Sequence, residues 1–135
     1  MEKKINKAKN ILKKGGLVIF PTETVYGLGG DATNDIAIRN IYNIKKRPTN
    51  NPIICHFKDF DSVREDFQFN DIAYNLAKEF WPGPLTLILE KKKKSKISFL
   101  LSNKNNFVGC RVPKNSIANN LLKSLDFPLA APSAN

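Results

Sequence analysis

The sequence holds little of what builds a stapled or metal-bound protein. Its 135 residues include two cysteines, one histidine, one methionine and one tryptophan. Cys55 and Cys110, each inside an apolar strand-like run, supply neither a disulfide framework nor metal-ligand spacing. A lone histidine cannot complete a metal set either. Long apolar runs are also lacking: Leu17 to Phe20 and Leu85 to Leu89 fall far short of the roughly 20 residues a membrane helix needs. Lysines dot the opening residues, where a secretory signal would carry an apolar block. These absences point to a cytoplasmic protein with reduced thiols and no membrane partner. Acidic side chains are scarce, 12 against 22 Lys and Arg, for a net charge of +10. Two readings of that charge stand. It favours encounter with polyanions such as nucleotides and RNA. Alternatively it is compositional, since four of the 22 cations are arginine and asparagine pairs recur at 50–51, 105–106 and 119–120.

What is present reads as one folded domain over residues 1–135. Hydrophobic residues make up 41% and charged residues 25%, ordinary for a globular chain with one core. Ile5, Ala8, Ile11 and Leu12 have helical spacing, and Gly15-Gly16 supplies a stop. Leu17 to Phe20 predicts a short buried strand before Pro21 and a glycine-rich loop. Asn34 or Asp35 can cap a helix carrying Ile36, Ile38, Ile41 and Ile44. Further strands are predicted at Ile53–Phe57, Leu85–Glu90 and Phe107–Val112, and from Leu129. Further helices are predicted at 71–80 and near 117–125, with Lys91 to Lys96 as a charged turn. Strands alternating with helices argue an α/β fold with a mixed sheet. Ile19, Phe20, Ile41, Ile44, Ile54, Leu76, Phe80, Leu87 and Leu89 form the expected core.

The segment richest in chemistry is Pro21-Thr22-Glu23-Thr24-Val25-Tyr26-Gly27-Leu28-Gly29-Gly30. It joins hydroxyls suited to a small polar ligand with glycines that let backbone approach one. It is not a phosphate loop of the Gly-x-x-x-x-Gly-Lys-Ser/Thr kind. Arg111, inside Val108-Gly109-Cys110-Arg111-Val112, requires an anionic partner, because a strand guanidinium among apolar neighbours is costly alone. Taken singly, the others have structural readings: His56 as a satisfied strand histidine, Lys45 and Arg47 as cations at a helix C-terminus, and Trp81-Pro82-Gly83-Pro84 as a rigid turn with an aromatic plug.

Taken together, Pro-Thr-Glu-Thr-x-Tyr-Gly-Leu at 21–28, Lys-x-Arg-Pro at 45–48, Asn51-Pro52, Trp81 to Thr86, Arg111-Val112-Pro113 and Ser133-Ala134-Asn135 resemble the YrdC/TsaC family of threonylcarbamoyl-adenylate synthases. The resemblance runs from about Ile11 to Asn135. It implies a YrdC-like twisted mixed sheet flanked by helices, with an open, concave, basic face. It also implies an activity: threonylcarbamoyl-AMP and pyrophosphate made from L-threonine, bicarbonate and ATP. A tRNA threonylcarbamoyl-transferase complex would then modify the tRNA adenosine beside the anticodon.

Residue roles follow by the same resemblance. Lys45, Arg47, Ser133 and Asn135 would be the catalytic group. Thr24, His56, Arg111 and Ala131 would hold threonine. Arg47, Asn51 and Ser133, with the backbone around Phe107, would meet ATP. Magnesium would accompany the ATP, with no protein metal site. Family members continue past the Ser-x-Asn motif with further strands, a Ser-Thr-Val segment and a late arginine. The chain is therefore expected to be incomplete at its C-terminal side. Two alternatives stand beside the synthase: a non-catalytic RNA-binding module, and a carbamoyl-transferring relative of the YrdC-like domain in hydrogenase maturation.

Overall fold

The computed structural model describes residues 2–23, 25–46 and 53–132. Five α-helices and six strands alternate along them. They run α1 (Glu2–Lys13), β1 (Val18–Pro21), β2 (Tyr26–Asp31), α2 (Asp35–Lys45), β3 (Cys55–His56), α3 (Phe60–Asp66), α4 (Asp71–Phe80), β4 (Leu87–Glu90), β5 (Phe107–Arg111), α5 (Ser116–Lys123) and β6 (Leu129–Ala130). The strands form one sheet in the order β1-β2-β6-β3-β5-β4. Among the described residues only the β3–β5 pair is parallel, so the sheet is mixed, as expected.

Capping sets the helix starts. The Asn34 side chain accepts from Ile36 and Ala37 N–H, Asn70 from Ala73, and Asn115 from Ile117 and Ala118. Each satisfies donors the first helical turn leaves open, contributing about 0.5–2 kcal/mol. Helix α2 stops at Lys46, whose φ of 51° is left-handed and turns the chain off the helix axis.

The sheet separates two apolar layers. Ile38, Ile41 and Tyr42 of α2, Val63 of α3, Ala77 of α4 and Trp81 pack with Cys55, Val108, Cys110 and Ala130 on one face. Leu12 of α1 and Ala118, Leu121 and Leu122 of α5 pack with Phe20, Leu129 and Ala131 on the other. Strand alternation produces this split: Cys110 and Ala130 point one way, Arg111, Leu129 and Ala131 the other. Each large side chain so buried contributes about 1.5–3 kcal/mol.

Three expectations are corrected. Tyr26–Asp31 is a strand and not a loop; pairing with β1 supplies the ladder that its glycines would not favour by themselves. A helix, α3, occupies 60–66, capped by Asp59, where no element was predicted. Within the expected core, Ile19 is 65% exposed, Ile44 62% and Phe80 49%. Ile19 alternates outward from Phe20 on an edge strand. Ile44 and Phe80 lie in the last turns of their helices, and periodicity reveals a helix face without revealing how far its cover extends.

The β1–β2 hairpin does not lie flat. Phe20 on β1 is three strands from β3, which at ~4.8 Å per strand would be about 14 Å in a planar sheet. Its ring nevertheless meets the His56 ring edge-on with centroids 5.9 Å apart. The hairpin therefore curls over the face that carries His56, and Gly29 permits it: a Cβ there would come 2.5 Å from Phe20 Cε1. This fold-over brings the hairpin turn to the end of β5.

Candidate active site

His56 ends β3 and Arg111 ends β5, and the two are partners in the parallel register. Side chains of partnered residues share a face, so both lie on the Phe20 side of the sheet. The carboxyl ends of parallel strands are where open α/β sheets commonly present ligand-binding groups.

Arg111 is buried, and its guanidinium is held from two directions. Nε donates to the Gly83 carbonyl at 3.1 Å, and Nη2 is ion-paired with Glu23 Oε2. The Glu23 contact is one of charge and proximity without the directed geometry of a hydrogen bond. Gly83 is fixed in turn by its N–H, which donates to the Val112 carbonyl at 2.8 Å, while Trp81 Nε1 donates to the Leu85 carbonyl at 2.7 Å. The other Glu23 oxygen accepts from the N–H groups of Lys114 at 2.8 Å and Asn115 at 2.6 Å, at the start of α5. Burial lowers the Arg111 pKa from its ordinary value, and an arginine so shifted remains charged.

His56 is neutral at physiological pH. Burial pushes its pKa down to about 4, with the Leu129 and Ile54 carbonyls pulling weakly the other way. Nδ1 is buried and makes no hydrogen bond among the described residues. The reading of a satisfied strand histidine therefore does not hold there. An unpartnered buried ring nitrogen beside a buried guanidinium is a place for a polar ligand.

Ala131 closes the same side. Its N–H donates to the Ile54 carbonyl at 3.0 Å, and a Cβ on Gly27 would stand 3.3 Å from its Cβ. The structure thus brings Arg111, His56 and Ala131 onto one face. Lys45 is the last residue of α2, whose apolar stripe packs the opposite face. Phe107 begins β5, at the far end from Arg111, with its N–H donated to Asn103 Oδ1. Thr24, Arg47, Asn51, Ser133 and Asn135 lie outside the described residues. The anionic partner that Arg111 requires is Glu23, which the motif reading passed over between its two threonines. The Gly83 carbonyl was missed too, and no side chain could have signalled it.

Among the described residues, no three His, Cys, Asp or Glu side chains gather where they could hold a metal ion. Among the same residues, no helix is long and apolar enough to cross a membrane.

Fold and site together define an α/β protein with a buried, carboxylate-paired arginine at the end of a parallel strand pair. A family model named for Sua5, YciO and YrdC, and described as telomere recombination, matches residues 10–135. The chain belongs to this family. It is 41% identical over 135 residues to the threonylcarbamoyl-AMP synthase of Pyrococcus abyssi, covering 99% of this chain and 39% of that protein. It is also 41% identical over 133 residues to the threonylcarbamoyl-AMP synthase of Bacillus subtilis, covering 97% and 38%. The crystal structure of P. abyssi Sua5 complexed with L-threonine superposes with a TM-score of 0.93 at 40% identity, over 100% of this chain and 39% of that one. The chain spans about two fifths of the length of these relatives.

Proposed function

We propose that this chain carries the threonine-binding part of a threonylcarbamoyl-AMP synthase, a nucleotidyltransferase acting in the cytoplasm toward tRNA modification. The observation that carries the reading is the buried Arg111 guanidinium beside the buried His56 ring, whose Nδ1 has no hydrogen-bond partner among the described residues. Relatives bearing the synthase name at 41% identity support it, as does the similar Sua5 fold solved with L-threonine.

In this reading the amine of L-threonine reacts with bicarbonate, losing water, to give a carbamate. A carbamate oxygen attacks the α-phosphorus of ATP; the bond to the β-phosphate oxygen breaks, and pyrophosphate leaves. The reaction crowds several anions together, so the site's work is positioning and charge stabilisation. Arg111 offers a planar fork to the threonine carboxylate. His56, neutral, offers a ring nitrogen for hydrogen bonding without adding charge, and the Ala131 backbone flanks the substrate. Thr24 is the remaining threonine contact. Lys45, Arg47, Ser133 and Asn135 are assigned to the chemistry, and Arg47, Asn51 and Ser133 to the nucleotide. Magnesium enters with the triphosphate of ATP.

Transfer to tRNA belongs to a separate transferase complex, and the lysine-rich surface is the part suited to meet it. A groove of about 420 Å³ there is lined by Lys58, Lys114 and Lys123 together with Asp59, Phe60 and Trp81. The RNA-binding module without catalysis and the hydrogenase-maturation relative are less favoured, since neither accounts for a buried arginine held for a small carboxylate.

The test is incubation with ATP, L-threonine and labelled bicarbonate, followed for threonylcarbamoyl-AMP and pyrophosphate. Binding of L-threonine by this chain is the minimum the reading requires. A chain that binds no L-threonine at millimolar concentration would overturn it.

A further inference from the structure

We infer that Glu23 is the positioning residue of the amino-acid site, fixing the Arg111 guanidinium so that Nη1 is left to take the ligand carboxylate. The inference rests on the threonine-binding reading above and names a residue that the reading itself does not use.

Its basis is how the two oxygens of Glu23 divide their partners. Oε1 is anchored on two backbone N–H groups, those of Lys114 and Asn115, at 2.8 and 2.6 Å. Those contacts owe nothing to Arg111, so the carboxylate has a fixed place before any guanidinium arrives. Oε2 then faces Arg111 Nη2. Glu23 sits in the hairpin turn that the Thr22 N–H closes on the Val25 carbonyl at 2.9 Å. One side chain thereby ties the turn, the start of α5 and the end of β5 together.

The guanidinium presents a rigid planar fork of five N–H donors. With Nε on the Gly83 carbonyl and Nη2 against Glu23 Oε2, the guanidinium is held by a directed hydrogen bond on one side and by opposite charge on the other. Among the described residues Nη1 has no partner, which leaves the donors a ligand carboxylate needs. A guanidinium held by Nε alone would swing about its side chain and pay ordering entropy on binding. Charge argues the same way. A zwitterionic amino acid has no net charge, and the pairing of Arg111 with Glu23 beside a neutral His56 makes these side chains neutral in sum. Such a site selects by geometry more than by bulk potential.

The test uses Glu23→Gln, which keeps an oxygen acceptor for the backbone N–H groups and removes the charge facing Arg111. Glu23→Ala, which removes both, serves as the second variant. Calorimetric titration with L-threonine is expected to show affinity about tenfold weaker in Glu23→Gln, in line with loss of a charge-assisted contact. Affinity for ATP should stay unchanged, while the urea unfolding midpoint falls modestly because the buried Arg111 loses the charge facing it. A merely structural role would move ATP affinity along with threonine. Arginine side-chain NMR reads the pin directly: Arg111 Nη signals, separate in the wild type, should average in Glu23→Gln. Unchanged or tighter L-threonine binding in Glu23→Gln overturns the inference, the tighter case marking Glu23 as a competitor for the substrate carboxylate. Unchanged Arg111 signals overturn it as well. A wild-type chain that binds ATP but no L-threonine overturns the threonine reading instead, a different result from either.

Discussion

His56 and Arg111 are partners in the register of the two parallel strands, and burial lowers the pKa of both. A cationic imidazolium beside a buried guanidinium would add like charge to a poorly solvated place. His56 is kept neutral there by burial, the Phe20 ring covering it edge-on.

That neutrality makes stability depend on pH. The folded chain holds His56 at about 4 against an ordinary 6.5. Between these values the unfolded chain takes up a proton that the folded chain refuses, so acid favours unfolding. The stabilisation is full above pH 6.5, is lost as pH falls toward 4, and changes no further below. The difference is worth about 3 kcal/mol at most. Urea midpoints measured across this window should decline in the wild type and decline less in His56→Gln. Parallel curves for the two proteins would show that another group governs the window.

Arg111→Lys should be far from conservative. A lysine ammonium cannot serve the Gly83 carbonyl, the Glu23 carboxylate and a ligand carboxylate from one planar fork. L-threonine affinity is expected to drop by roughly tenfold or more, and stability by about 1–3 kcal/mol through the weakened buried pairing. Calorimetry and urea unfolding on the same preparation check both. Wild-type affinity in the variant would remove Arg111 from the amino-acid site.

Cys55 and Cys110, partners in the same pair of strands, are expected to be inert. Both are buried, and burial raises both thiol pKa values above the ordinary value, which suppresses the reactive thiolate. A thiol reagent should label neither in the native protein and both once denaturant unfolds it. Fast labelling of native protein would mean that the β3–β5 face opens easily.

Much of this was legible in the sequence, and the limits are physical. Asn34 marks its helix start because a side-chain cap is a local interaction, whereas the cap by Asn115 went unread. The anionic partner of Arg111 could be demanded from its apolar neighbours, but its identity could not. Glu23 reaches Arg111 only because the hairpin folds across the face, and that curl depends on Phe20 meeting glycines on another strand. Strand β2 was unreadable for the same reason: Gly27, Gly29 and Gly30 look like a loop until the ring and side chains that cover them are known. Helix α3 was missed because seven residues hold too little period to detect.

The hairpin curl yields the last prediction. At Gly29 an added Cβ would stand 2.5 Å from Cε1 and 3.1 Å from Cδ1 of Phe20. The ring cannot simply retreat toward His56, which meets it edge-on. Gly29→Ala should therefore push the hairpin off the face, costing about 1–3 kcal/mol as overpacking does. Because Glu23 rides on that hairpin, L-threonine affinity should weaken in the same variant. Adding Phe20→Leu, which shortens the obstructing side chain, should recover part of the stability lost to the alanine, a coupling that a double-mutant cycle measures. Additive effects of the two substitutions would mean that Phe20 and Gly29 are not packed together, and the folded-over hairpin that delivers Glu23 to Arg111 would lose its support.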